Sequence, residues 1–152
     1  MEYQKIRELQ DWPRQEAFDH FYHQVVTAVT LTADVDVAPL LRACQERGLR
    51  FFPSFLHLLS RVVNRHDAFK MGHNAEGEPV IWKQVSPSYT VFQEEDSSFY
   101  SLSTEYVPEF EAFYRQVVLD IEQSKPLQGP RWKEAAQPVL CLMHSVAALP
   151  EL

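Results

Sequence analysis

His20 and His23 lie three residues apart. On a helix that spacing puts two imidazoles on one face, where they could hold a metal ion. No set of Asp, Glu, Cys or His elsewhere completes such a site, so solvated helix histidines are the simpler reading. His57 falls inside a strongly apolar run and reads as a core histidine satisfied by its surroundings. Glu94-Glu95-Asp96 would suit paired-carboxylate acid/base work, or a solvated acidic turn, which is the commoner use of such a run. Cys44 and Cys141 have neither the number nor the spacing of a disulfide framework or a zinc knuckle. There is no Gly-rich phosphate loop, no Gly-x-Ser-x-Gly and no Cys-x-x-Cys.

The elements that would position these residues belong to one domain spanning 1–152, a length that supports a real core. Hydrophobic residues make up 45% and charged residues 23%, an ordinary globular balance. With 21 acidic against 14 basic side chains the net charge is -7, which argues against nucleic acid or an anionic membrane as partner. No run approaches the roughly 18 apolar residues of a membrane span. The N-terminus shows no basic region followed by an apolar one, so no secretory signal is expected and a reducing cytoplasm is the default location.

Residues 2–9 alternate loosely and suit a short strand. Asp11-Trp12-Pro13 opens a helix, with Pro13 in its first turn and Ala17, Phe18, Phe21, Tyr22 and Val25 at helical spacing. Val26 to Val35 is β-branched and Thr-rich and predicts a strand. Asp36 caps a helix that Gly48 ends. Pro53 then starts a central helix over 53–66, in which Phe55, Leu58, Leu59, Val62 and His66 form a stripe widened by Leu56 and Val63. A helix so apolar is expected to pack on a sheet, with Phe51 and Phe52 as the end of the loop before it. Gly72 to Pro79 reads as a polar turn. Residues 80–82 and 88–92 read as an antiparallel strand pair, and 99–103 as a third strand. Pro108 to Ile121 is an amphipathic helix. The fold class expected is an α/β (α+β) two-layer sandwich on a mixed or antiparallel sheet.

Several segments, each weak alone, together resemble the type A chloramphenicol O-acetyltransferases over roughly residues 3 to 125. They are Trp12-x-Arg14-x-Glu16-x-Phe18, Leu31-Thr32 leading to Val35-Asp36-Val37, and Phe51-Phe52-Pro53 with its helix through Asn64. Phe69-x-Met71, Val80-Ile81-Trp82, Tyr89-Thr90-Val91-Phe92 and Phe99-x-Ser101-Leu102 follow in the family's order. The resemblance implies the two-layer fold of CoA-dependent acyltransferases and acetyl transfer from acetyl-CoA to a primary hydroxyl of chloramphenicol, without a metal. It also implies a homotrimer with active sites between subunits. It aligns Phe99 with an aromatic that packs on the drug, and Phe21 and Thr27 with positions along the drug-facing segment, where the family usually has tyrosine and often cysteine. Core or sheet packing is the alternative for all three. Arg14 aligns with a structural arginine that pairs with an aspartate of the catalytic motif; an exposed helix arginine is the alternative. His20 stands where the family usually has phenylalanine.

The family's general base lies in a His-His-x-x-x-Asp-Gly motif, and a serine hydroxyl helps hold the oxyanion. No His-His pair occurs in these residues, and family spacing would put the motif about 40 residues past Leu152. None of His20, His23, His57, His66, His73 or His144 matches the base by position, so no catalytic residue is assigned. Residues 140–152 have a core-strand composition but not the family's wording. Back-translated and shifted by one nucleotide, one allowed codon choice reads Tyr-Val-Ser-Cys-Ile-Pro-Trp, like the family segment that carries the oxyanion serine. A frameshift between about Pro126 and Leu140, with a premature stop and the C-terminal third missing, is therefore expected, with Ser145 and His144 outside the catalytic roles. The expected activity is chloramphenicol acetylation by descent but none in this chain. A non-catalytic remnant or weak small-molecule binding module is the alternative.

Overall fold

A computed structural model describes residues 2–6, 12–25, 30–93, 97–124, 131–132 and 139–145. The elements are β1 (Tyr3–Lys5), α1 (Gln15–His23), α2 (Ala38–Arg47), α3 (Phe51–Asn64), β2 (Met71–His73), β3 (Pro79–Trp82), β4 (Ser86–Gln93), β5 (Ser98–Ser103), α4 (Phe110–Ser124), β6 (Arg131–Trp132) and β7 (Val139–Ser145). They form two sheets. The smaller has the order β1-β3-β2 and is antiparallel. The larger has the order β6-β5-β4-β7, with β4 and β5 antiparallel and the two outer strands parallel to their neighbours. The class is the mixed helix-on-sheet sandwich that the sequence implies.

Period-two alternation divides the β4–β5 hairpin into two faces. Tyr89 opposes Leu102 and Val91 opposes Tyr100, and these side chains meet Phe52 and Leu56 of α3 and Phe113 and Val117 of α4 in one buried cluster. Ser88, Thr90 and Phe92 oppose Ser103, Ser101 and Phe99 on the other face. The helices therefore cover one side of the hairpin and leave the aromatic pair Phe92–Phe99 on the other.

Helix α3 begins at Phe51, two residues before Pro53, and ends at Asn64, so the two phenylalanines are its first turn and not loop. Proline is accepted there because first-turn N–H groups have no helical partner. The buried face holds Phe52, Pro53, Ser54, Leu56, His57, Ser60 and Val63. The stripe read from the sequence is buried only in part: Leu56 and Val63 are on this face, but Leu58 is 41% and Val62 48% exposed, and His66 lies beyond the helix. Apolar residues surround this helix almost completely, so spacing alone does not choose the packed face.

Two other expectations change. Residues 30–37 form no strand, and Leu31 and Val35 are 89% and 68% exposed; residues 26–29 lie outside the described set. β-Propensity needs a paired neighbour, and no described strand pairs with this segment. Strands β3 and β4 are not partners either. β3 is bonded on both edges, by β1 and β2. The Asn64 side chain then takes both backbone groups of Val85, donating to its carbonyl at 2.9 Å and accepting from its N–H at 2.9 Å. That bracket ends one sheet before the next begins.

Local signals act close to their expected places, although the N-cap of α2 is Val37 and Asp36 stands one residue before it. Asp36 Oδ1 accepts the Ala38 N–H at 2.9 Å, and Gly48 closes α2 at φ 64. The 74–78 turn is built on Asn74, whose Oδ1 accepts the N–H groups of Glu76 and Glu78 at 3.2 and 2.8 Å. Gly72 instead lies within β2, where a Cβ would meet Trp82 Nε1 at 2.8 Å.

Candidate functional site

The residues expected to face a substrate are placed as follows. Phe99 projects from β5, 47% exposed, directly opposite Phe92, which is 38% exposed. Behind these rings the same face carries Thr90 opposite Ser101 and Ser88 opposite Ser103. The result is a flat wall of two phenyl rings with hydroxyls beside them, suited to a ligand with an aromatic body and polar groups. Phe92 was not singled out from the sequence, although the alternation within 88–92 and 99–103 pairs it with Phe99.

Phe21 lies on α1, 54% exposed, with its ring 5.1 Å from that of His20. His20 Nδ1 is 3.1 Å from Gln24 Oε1. Among the described residues no aromatic contact joins Phe21 to Phe99, so the two halves of the expected drug-facing wall are not brought together directly. Thr27 lies outside the described residues. Arg14 occupies the N-cap of α1, exposed, and its carbonyl accepts the Phe18 N–H at 2.9 Å. No ion pair of its guanidinium occurs among the described residues.

His57 is buried among three aromatic rings, those of Tyr106, Phe110 and Phe113, at 6.1, 5.3 and 5.5 Å. Its Nε2 is 3.1 Å from the Pro108 carbonyl, which can only accept, so the proton sits on Nε2. Nδ1 is then a lone pair without a hydrogen-bond partner among the described residues, so the histidine is only half satisfied. Enclosed in this way, His57 cannot reach a substrate hydroxyl. His66 and His73 contact Phe69 and Phe18, at 6.2 and 6.1 Å between rings. His144 and Ser145 fall in β7, whose Cα register sets Ser145 beside Thr90. Among the described residues no group of three or more His, Cys, Asp or Glu could hold a metal ion. Glu94-Glu95-Asp96 lies outside those residues.

A polar cluster that sequence reasoning missed lies under the wall. The Thr104 hydroxyl donates to Asp120 Oδ2 at 2.5 Å and lies 2.8 Å from the Tyr89 hydroxyl, while Gln116 Nε2 donates to Asp120 Oδ1 at 3.1 Å. Tyr89, Thr104 and Asp120 are 1%, 1% and 7% exposed. Burial pushes the Tyr89 phenol well above its usual range, against the opposing hydrogen bond with Thr104 and with help from the Asp120 charge. Nothing in the spacing of 89, 104 and 120 announces the cluster, because the fold alone brings them together.

The family model described as "Chloramphenicol acetyltransferase" matches residues 1–130. A chloramphenicol acetyltransferase of Staphylococcus aureus is 33% identical over 123 residues, 81% of this chain and 56% of that protein. One from Streptomyces acrimycini is 35% identical over 107 residues, 70% of this chain and 49% of its own length. A solved chloramphenicol acetyltransferase superposes with a TM-score of 0.77 at 20% identity, covering 93% of this chain and 69% of that one, a likeness of fold. The chain spans about half the length of the curated relatives it matches. On the extent of the family match and these identities, the chain belongs to the chloramphenicol acetyltransferase family.

Proposed function

We propose that the chain derives from a chloramphenicol O-acetyltransferase, taking acetyl-CoA as co-substrate, and that its 152 residues carry part of the drug-facing wall without a general base. The observation that carries this reading is the Phe92–Phe99 pair, exposed on the sheet face away from the helices. Phe99 supplies the ring for the drug to pack on; the family resemblance assigns Phe21 and Thr27 to the drug-facing segment as well, Phe21 without an aromatic contact to Phe99 among the described residues and Thr27 outside them. Arg14 has a structural role at the start of α1. His20, exposed and 3.1 Å from Gln24 Oε1 through Nδ1, matches the family's base neither by motif nor by position. The family's His-His-x-x-x-Asp-Gly is not among the 152 residues.

A base positioned on the attacking hydroxyl typically contributes about 10²–10⁴ in rate, and one oxyanion donor about 10²–10³. Such effects do not add, but loss of either leaves little turnover. The reading is therefore of a chain that binds weakly and does not turn over, acting in the cytoplasm as a single domain. In the full-length family arrangement it would be one member of a homotrimer. Equilibrium dialysis with labelled chloramphenicol tests the binding half. Weak binding that falls several-fold in Phe99→Ala supports the wall. Binding unchanged by that substitution would remove it.

A further inference from the structure

We propose that Tyr89, Thr104 and Asp120 form a register key, a buried polar relay that selects one alignment of the β4–β5 hairpin under helix α4. The inference is independent of the acetyl-transfer reading. The apolar pattern of the hairpin does not choose a register by itself. In the observed pairing Tyr89 opposes Leu102 and Val91 opposes Tyr100. A slide of β5 by two residues keeps every side chain on its own face; in one direction it sets Val91 opposite Leu102 and in the other Tyr89 opposite Tyr100, so one large pair still meets across the strands either way. A one-residue slip is excluded by the faces, whereas a two-residue slip is not.

The relay supplies the missing discrimination. Thr104 has a single hydroxyl proton, and it goes to Asp120 Oδ2. Tyr89 must then donate to the Thr104 oxygen, so the order of donors is fixed from β4 through the end of β5 to α4. Sliding β5 by two residues moves Thr104 by about 6.6 Å along the strand. Its hydroxyl then leaves Asp120, and this buried side chain, 7% exposed, loses its hydrogen bond from Thr104 while keeping the one from Gln116. Leaving such a group short of partners is heavily penalised, whereas a fully apolar replacement is not. The relay therefore discriminates between registers more than it adds stability. The competing determinant is the turn between the strands, in which Ser97 holds φ 53.

Oxidative trapping of paired cysteines, at low protein concentration in a Cys44→Ala, Cys141→Ala background, separates the two. Thr90→Cys with Ser101→Cys reports the observed register. Thr90→Cys with Ser103→Cys, and Ser88→Cys with Ser101→Cys, report the two slipped ones. With the relay intact the first pair should close more than about tenfold faster than either other pair. In the apolar variant Tyr89→Phe, Thr104→Val, Asp120→Leu the chain stays folded by circular dichroism, and the preference falls below about threefold. An undiminished preference in the folded variant overturns the proposal and assigns register to the turn. If the triple variant does not fold, Thr104→Val and Thr104→Ser decide. The preference is lost in the valine variant and restored by serine, and a folded Thr104→Val chain that keeps it is equally contradictory.

Discussion

Tyr89 is a core residue with a titratable end, and its chemistry predicts how the chain responds to alkali. Burial raises its folded pKa above the unfolded value of about 10. The associated stability is therefore complete below pH 10 and is lost as the pH rises above it. Tyr106 shifts the same way, again chiefly by burial, with Arg61 and Arg65 opposing. Urea midpoints measured from pH 8 to pH 11 should fall more shallowly in Tyr89→Phe than in the parent chain, with a residual slope from Tyr106. Identical slopes would show that the Tyr89 phenol is not held protonated by the fold. Gly72 gives a second residue-level test. A methyl there lies 2.8 Å from the Trp82 indole nitrogen, so Gly72→Ala must displace the ring. A loss on the order of 1–3 kcal/mol is expected, with altered tryptophan fluorescence. Unchanged melting and emission would mean that the indole moves aside freely. Neither effect is legible in the sequence, because both depend on contacts across strands.

Elements with local signals could be read, and those that depend on a partner could not. Gly48 ends α2 as read, and the Asp36 side chain accepts from its first residue although Val37 is the N-cap, so the ends of this helix were legible to within one residue. Pro53 correctly marked a first helical turn, though the helix starts at Phe51. The segment 30–37 has strand composition, but no described strand pairs with it. Helix α3 is the instructive case, since the fold buries only the Leu56–Val63 edge of the stripe that its sequence suggests. The helices' coverage of the hairpin predicts that Leu56→Ala, at a residue 2% exposed, costs about 2–5 kcal/mol. Leu58→Glu, on the exposed side, should stay within about 0.5 kcal/mol. Thermal or urea unfolding of both variants checks the assignment, and the reverse ranking would mean that the Leu58 side of α3 is the packed one.

At the scale of the molecule, the class and the family were legible from ordered segments, while the division into two sheets was not. It depends on Asn64 occupying the backbone of Val85, a contact across 21 residues. The sequence singled out Phe99 only through the family resemblance, its exposed partner Phe92 was recoverable from strand alternation, and the relay beneath them was not legible. Large apolar side chains at Leu31, Val35, Phe69, Phe92 and Phe99 are exposed in this chain, from 38% to 89%. Such surface predicts low soluble yield and concentration-dependent self-association of the isolated 152 residues in sedimentation experiments. A monodisperse trimer with one cooperative melting transition would contradict that.

The most direct test is catalytic. The purified 152-residue chain, given acetyl-CoA with and without chloramphenicol, is followed by release of the CoA thiol. The two traces should coincide, because the general base that the family's chemistry requires is not among these residues. Drug-dependent release that disappears in His144→Ala would contradict the account and make His144 the base.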